Sequence, residues 1–288
     1  MAGLTFAVMS AGIKLASDHG ANLVEIVFYR SLFSLPLIAG WIAISSGVAG
    51  IRVVRPRAHA SRAAIGLVSM FFNFQAIRML PLAEATVISF SVPFFATALA
   101  ALFLAEPVGR HRWIAIAIGI LGVAVVAQPG STQVTAAGAA VGIAAAIGVA
   151  AVTVTLRQLG ATETATATVF WFAVASTLVT APAMMWFAQP HDALGWALLL
   201  WVGLAGGTAQ LFNTASLRLA PVPVLAPFDY IQLLWAVLLG WLIWQTQPTL
   251  ATWAGGAIIV AGGLYIVRRE RQLRRLASAA PATPRPEA

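Results

Sequence analysis

The sequence has no cysteine and few charges of either sign. Without cysteine, the 288-residue chain offers no disulfide framework, no thiolate chemistry and no Cys-based metal site. Charged residues make up 9% of it, against roughly 25% in an ordinary globular protein. So few charges cannot cover the surface of a water-soluble protein of this size. The one lysine, Lys14, follows Ile13, so there is no Gly-Lys-Ser/Thr phosphate loop and ATP-driven transport within this chain is excluded. Neither a Gly-x-Ser-x-Gly elbow nor a His-Glu-x-x-His pair occurs. His19, His59, His111 and His191 are all expected in loops, which disfavours a metal site inside a membrane, and no cofactor is expected.

What the chain has is apolar length: 60% of its residues are hydrophobic and its mean hydropathy is +0.88. A helix needs about 20 apolar residues to cross the hydrocarbon of a bilayer. Ten such runs lie near 2–18, 23–45, 62–80, 84–104, 112–128, 136–157, 164–187, 194–217, 223–245 and 251–267. The fold class is therefore all-α, a polytopic membrane protein of ten transmembrane helices with the lipid bilayer as its solvent. Prolines 36, 93, 182 and 227 are expected to interrupt the second, fourth, seventh and ninth spans. Residues 268–288 turn basic and then Pro/Ala-rich, and read as a solvated tail that need not fold. Met1 leads straight into an apolar run, so no cleavable signal is expected.

The net charge of +8 is a topology signal, not a nucleic-acid footprint. With both termini on the cytoplasmic side, the inner segments collect fourteen of the 17 basic residues, and the outer loops hold only Arg78. Lys14 and Arg30 lie within spans.

An offset of 140 residues aligns Phe72-Asn73 with Phe212-Asn213, Arg78 with Arg218 and Pro81 with Pro221. It also pairs Gly66 with Gly206, Trp113 with Trp253 and Gly122 with Gly262. The chain thus divides into two five-helix repeats, 1–130 and 136–267. Five is odd, so the second repeat enters the membrane from the opposite side. Inverted repeats of this kind place a substrate site near the midplane between the halves and suit alternating access. The offset places the start of the first span about six residues before Met1, so an upstream start is expected.

The run from Arg78 through Pro81, Ala83-Glu84-Ala85 and Pro93 to Glu106, followed by Gly119, Gly122 and Gln128-Pro129-Gly130, resembles the EamA-type drug/metabolite transporters. Phe28-Tyr29-Arg30 also looks like that family, and the resemblance covers nearly the whole chain. It implies ten helices in a basket around a central cavity, in a bacterial inner membrane, moving small organic solutes as a monomer or homodimer. In length and layout the chain is most similar to bacterial aromatic amino-acid exporters; segments like Pro81-Leu-Ala-Glu-Ala85 also occur in flavin and adenosyl-methionine transporters. The second repeat departs from the pattern, with Thr246 opposite Glu106 and Leu233 opposite Pro93.

Ionisable groups inside lipid need a reason, since each costs about 2.5–3.5 kcal/mol at mid-helix. Arg30 is a candidate for a substrate carboxylate, the alternative being an ion pair with Glu25 or Glu84 or snorkelling. Asp229, beside Pro227, is a candidate for a substrate ammonium or a coupling proton, the alternative being a pair with Arg218. The deep amides Asn73, Gln75, Gln210, Asn213 and Gln232 serve as lining or as interhelical glue. Phe90, Trp171, Tyr230 and Trp235 are candidate aromatic walls. Arg62 counts only among the inner-face charges.

A channel or an intramembrane lipid-modifying enzyme are the competing classes. No cluster of acid, base and nucleophile at one depth can be assembled. A channel would more naturally be a rotational assembly. The sequence therefore reads as a secondary transporter, with export of hydrophobic or aromatic amino acids as the specific expectation and another metabolite (flavin, nucleobase, adenosyl-methionine or drug) as the alternative.

Overall fold

The computed structural model describes residues 2–45, 47–103, 109–127, 134–160, 162–219 and 230–279, and these are helical, with no strand among them. The helices are α1 (Ala2–Asp18), α2 (Leu23–Ser45), α3 (Pro56–Met79), α4 (Leu82–Ser89), α5 (Val92–Phe103) and α6 (Arg110–Ala127) in the first half. The second half holds α7 (Ala136–Leu159), α8 (Ala165–Thr180), the single-turn α9 (Met184–Phe187), α10 (Ala193–Leu219), α11 (Ile231–Trp244) and α12 (Leu250–Ala279). A one-turn 3₁₀ segment, Val48–Ile51, precedes α3. Among the described residues, five stretches are long and apolar enough to cross a membrane: Leu23–Ser45, Leu82–Phe103, Ala136–Leu159, Ala193–Asn213 and Leu250–Arg269. Shorter apolar helices accompany them.

Hydrocarbon offers no hydrogen-bond partner, so each helix closes its own backbone, and side chains cap the starts of α2, α7 and α8. Asn22 and Glu25 form a reciprocal capping box at α2, each side chain accepting the other's backbone N–H at 3.0 Å. Thr135 caps α7 through the Gly138 N–H, and Thr164 caps α8 through the Ala167 N–H. Inside the helices, Thr86, Thr97, Thr153 and Thr177 turn their hydroxyls back to carbonyls one turn earlier. Large apolar side chains such as Ile44, Leu102, Ile114, Leu178 and Leu242 are exposed around the outside, the surface expected where lipid is the solvent.

Three sequence expectations need correction. Pro36 sits inside α2 without ending it, since a transmembrane helix tolerates proline when neighbours satisfy the freed carbonyl. Pro93 does break its span: α4 ends at Ser89, α5 starts at Val92, and Phe90-Ser91 form the joint. Pro182 falls between α8 and α9, while Pro227 lies outside the described residues. The segment from Arg268 continues α12 as far as Ala279, because Arg, Gln, Leu and Ala are strong helix formers and no Gly or Pro intervenes before Pro281. The third span begins at Pro56 rather than 62, proline being suited to the first helical turn.

The packing repeats itself when the two halves are exchanged. Helix α1 packs on α10 as α7 packs on α3, α2 packs on α10 as α8 packs on α3, and α1 packs on α11 as α7 packs on α4 and α5. The pairs α2–α8 and α6–α12 map onto themselves. Close approach at α6–α12 depends on glycine: a Cβ on Gly255 would lie 2.6 Å from the Gly122 carbonyl oxygen.

Lys14, unexplained by hydropathy, is a brace. Its ammonium donates to the carbonyl oxygens of Leu80 at 2.9 Å, Ile77 at 3.4 Å and Arg78 at 3.5 Å, at the C-terminal end of α3. A cation there also meets the negative end of the helix dipole. Lys14→Ala is expected to lower stability by about 1–3 kcal/mol, read as a lower melting temperature of the purified protein in detergent. An unchanged melting temperature would remove Lys14 from the framework.

Candidate functional site

Between the two halves lies a cavity of about 470 Å³, within the range of about 300–1,000 Å³ usual for small-molecule sites. Helices α1, α2, α3, α4, α5, α7, α8, α10 and α11 all contribute to its wall. Of the residues expected to face a substrate, Arg30, Asn73, Phe90, Gln210, Asn213, Tyr230 and Gln232 line it. Phe90, at the joint of α4 and α5, meets Tyr230, which immediately precedes α11, edge to face at 5.1 Å and 89°. These two are repeat equivalents at the 140-residue offset.

Gln75, Trp171 and Trp235 do not line the cavity. The Gln75 amide oxygen accepts from Arg78 Nη1 at 3.2 Å. The Trp171 indole donates to the Ile51 carbonyl at 2.8 Å, at the bundle surface. Trp235 is half-buried on α11. Depth in the sequence does not aim an apolar ring inward, because lipid accepts it at no cost. Asp229 lies outside the described residues, as does Glu106.

Arg30 pairs with neither Glu25 nor Glu84. It is only 5% exposed, and its Nε has no partner. Glu25 instead serves its own capping box, the Gln189 N–H at 2.8 Å and His191 Nε2 at 3.0 Å, and Glu84 accepts from Thr252 at 2.9 Å.

The sequence reading missed Arg62. It was counted among inner-face charges, yet it is 7% exposed, lines the same cavity, and leaves Nε and Nη1 without partners. Its guanidinium carbon stands 4.5 Å from the centre of the Phe172 ring. The available signal was Gly66, one turn along α3 on the same face, where any Cβ would collide with the Arg62 guanidinium.

Two further histidines were misplaced. His59 and His111 lie in the first turns of α3 and α6, not in loops. His59 Nε2 is 3.3 Å from Glu163 Oε2, while Glu163 Oε1 accepts the Val54 and Arg55 N–H groups at 2.9 and 2.7 Å. This joins the start of α3 to the start of α8. Its counterpart, His191 with Glu25, joins the start of α10 to the start of α2. Exchanging the halves converts one latch into the other, and the antiparallel connection of α2 to α3 puts them at opposite ends of the bundle.

Burial opposes ionisation of Glu163, but the N–H groups of Arg55 and Val54 and the neighbouring His59 outweigh it and hold the carboxyl below its ordinary value of 4.5. A depressed carboxyl contributes stability that is present above the ordinary value and lost as pH falls through the lowered one. Acid-induced loss of stability below pH 4.5 should therefore be shallower in Glu163→Gln than in the parent, followed by unfolding in detergent across pH. Parallel curves would show that the latch carries no such linkage.

Comparison with known proteins adds the following. Residues 1–128 and 136–268 each match the profile of the EamA-like transporter family. The chain is 33% identical over 273 residues to the pseudopaline exporter of Pseudomonas aeruginosa, covering 94% of this chain and 95% of that one. It is 29% identical to a riboflavin transporter of Rhizobium johnstonii, covering 96% and 91%. It is 24% identical to an S-adenosylmethionine uptake transporter of Rickettsia conorii, covering 93% and 92%. A solved crystal structure at 17% identity superposes with a TM-score of 0.63 over 94% of this chain and 97% of that one, a likeness of fold alone.

Proposed function

The chain belongs to the EamA-like transporter family, and on that premise we propose that this membrane transporter exports hydrophobic or aromatic amino acids, or solutes built like them, by alternating access. The observation that carries the reading is the mixed wall of the central cavity, where a buried guanidinium, side-chain amides and aromatic rings face one space. Arg30 supplies a two-pronged donor for a carboxylate. Asn73, Asn213, Gln210 and Gln232 supply acceptors for an ammonium without the cost of burying a carboxylate. Phe74, Phe90, Phe172 and Tyr230 offer faces for an apolar or aromatic side chain.

The named solutes of the three relatives differ from one another and include both export and uptake, so the choice of substrate here rests on the residues of this wall. The exchange of packing between the halves supports alternating access, since each half can take the arrangement its partner leaves. The concentration of arginines on one face supports cytoplasmic termini in a bacterial inner membrane.

The test is counterflow in proteoliposomes with phenylalanine, methionine, riboflavin or adenine trapped inside and the labelled compound outside. Saturable counterflow with the amino acids is expected. Arg30→Gln and Asn213→Ala are each expected to slow it about tenfold or more, roughly 1.4 kcal/mol per factor of ten, without altering assembly in detergent. Counterflow of riboflavin or adenine alone would overturn the substrate reading and leave the transporter fold untouched.

A further inference from the structure

Resting on the central cavity as the transport site, we propose that among amino-acid-like solutes it prefers those with two acidic groups, one held by Arg30 and the other by Arg62. Both guanidiniums line the cavity. Both are more than nine-tenths buried, so neither reaches the bundle surface by snorkelling. Arg30 Nε, Arg62 Nε and Arg62 Nη1 are buried donors with no partner. An arginine does not shed its proton to escape such a position. Facing one cavity, the two like charges repel each other.

No described carboxylate supplies the missing countercharge. Glu25 and Glu163 are engaged in the latches at the two ends of the bundle. Glu84 accepts from Thr252, Asp18 accepts from the Trp244 indole, and Asp192 accepts from the Gly195 N–H. A buried, uncompensated charge is costly, and two like charges on one cavity double the demand. Among the described residues, the wall leaves two positive charges without a carboxylate.

The seats of the two arginines are also built. A Cβ on Gly66 would collide with the Arg62 guanidinium, and a Cβ on Gly206 would stand 3.0 Å from Arg30 Nε. Gly66 and Gly206 are repeat equivalents at the 140-residue offset. Both arginines belong to the first repeat, yet their guanidiniums rest on equivalent glycines of the two halves, where an added Cβ would force the side chain to shift. A monocarboxylate satisfies one of them and leaves the other bare. A solute with two carboxylates, or a carboxylate and another acidic group, satisfies both, with Phe74 and Phe172 against its apolar body.

The experiment uses the full chain in proteoliposomes and compares phenylsuccinate (two carboxylates), 3-phenylpropionate (one) and phenylalanine (a zwitterion) as counterflow substrates. Phenylsuccinate is expected to half-saturate at a concentration about tenfold or more below that of 3-phenylpropionate. Arg62→Gln is expected to erase that gap while 3-phenylpropionate still moves. Gly66→Ala, which keeps the charge but displaces it, should narrow the gap. In detergent without ligand, Arg62→Gln is expected to melt above the parent, because it removes one of two repelling charges. Equal half-saturation by the mono- and dianion in the parent overturns the proposal whatever the variants do. So does a gap that survives Arg62→Gln, or chloride raising 3-phenylpropionate to the level of phenylsuccinate, which would assign the second cation to an inorganic ion. Transport of none of the three, with riboflavin moving instead, would overturn the reading of the cavity as an amino-acid-like site, and this inference with it.

Discussion

The bilayer supplies no hydrogen bonds, and the rest of the structure answers to that constraint. It forces the described backbone into helices, puts side-chain caps at the ends of α2, α7 and α8, and turns threonine hydroxyls back onto the carbonyls of their own helices. It also makes each buried polar group informative, because an unmatched one is expensive. Lys14 is matched, by carbonyls at the end of α3. The Glu25 carboxylate is matched three times over. Against that background the bare nitrogens of Arg30 and Arg62 stand out, and they lie where a solute would enter.

Much of this was legible in the sequence because hydropathy reads length and burial. The spans fell within a few residues of the helices, apart from α3, where Pro56 opens the helix earlier, α12, which outlasts its apolar run, and the ninth span, whose start lies outside the described residues. The 140-residue offset found the equivalence of Phe90 with Tyr230 and of Asn73 with Asn213, and the structure places all four on one cavity. What was not legible is direction. Gln75 and Trp171 have the right depth and face elsewhere, bound to Arg78 and to Ile51.

Arg62 escaped for a different reason. In the sequence the charge bias of inner segments is enough to account for it. Its burial follows from three-dimensional circumstances, the Phe172 face and the absent side chain of Gly66. The two latches escaped because connecting segments differ in length between the halves, so His59 and His191 share no common offset with Glu163 and Glu25. Symmetry survives there in space after it has been lost in numbering.

The contact between Phe90 and Tyr230 carries a mechanical consequence. Two equivalent residues that touch each other must straddle the axis that relates their halves. Points on such an axis stay put when the halves swap shapes, while the ends of the bundle, where the latches sit, travel farthest. In the alternating-access cycle proposed above, the edge-to-face ring pair would therefore act as a bearing. Both rings belong to the cavity wall, so in that cycle the pivot and the wall facing the solute would be built from the same two side chains.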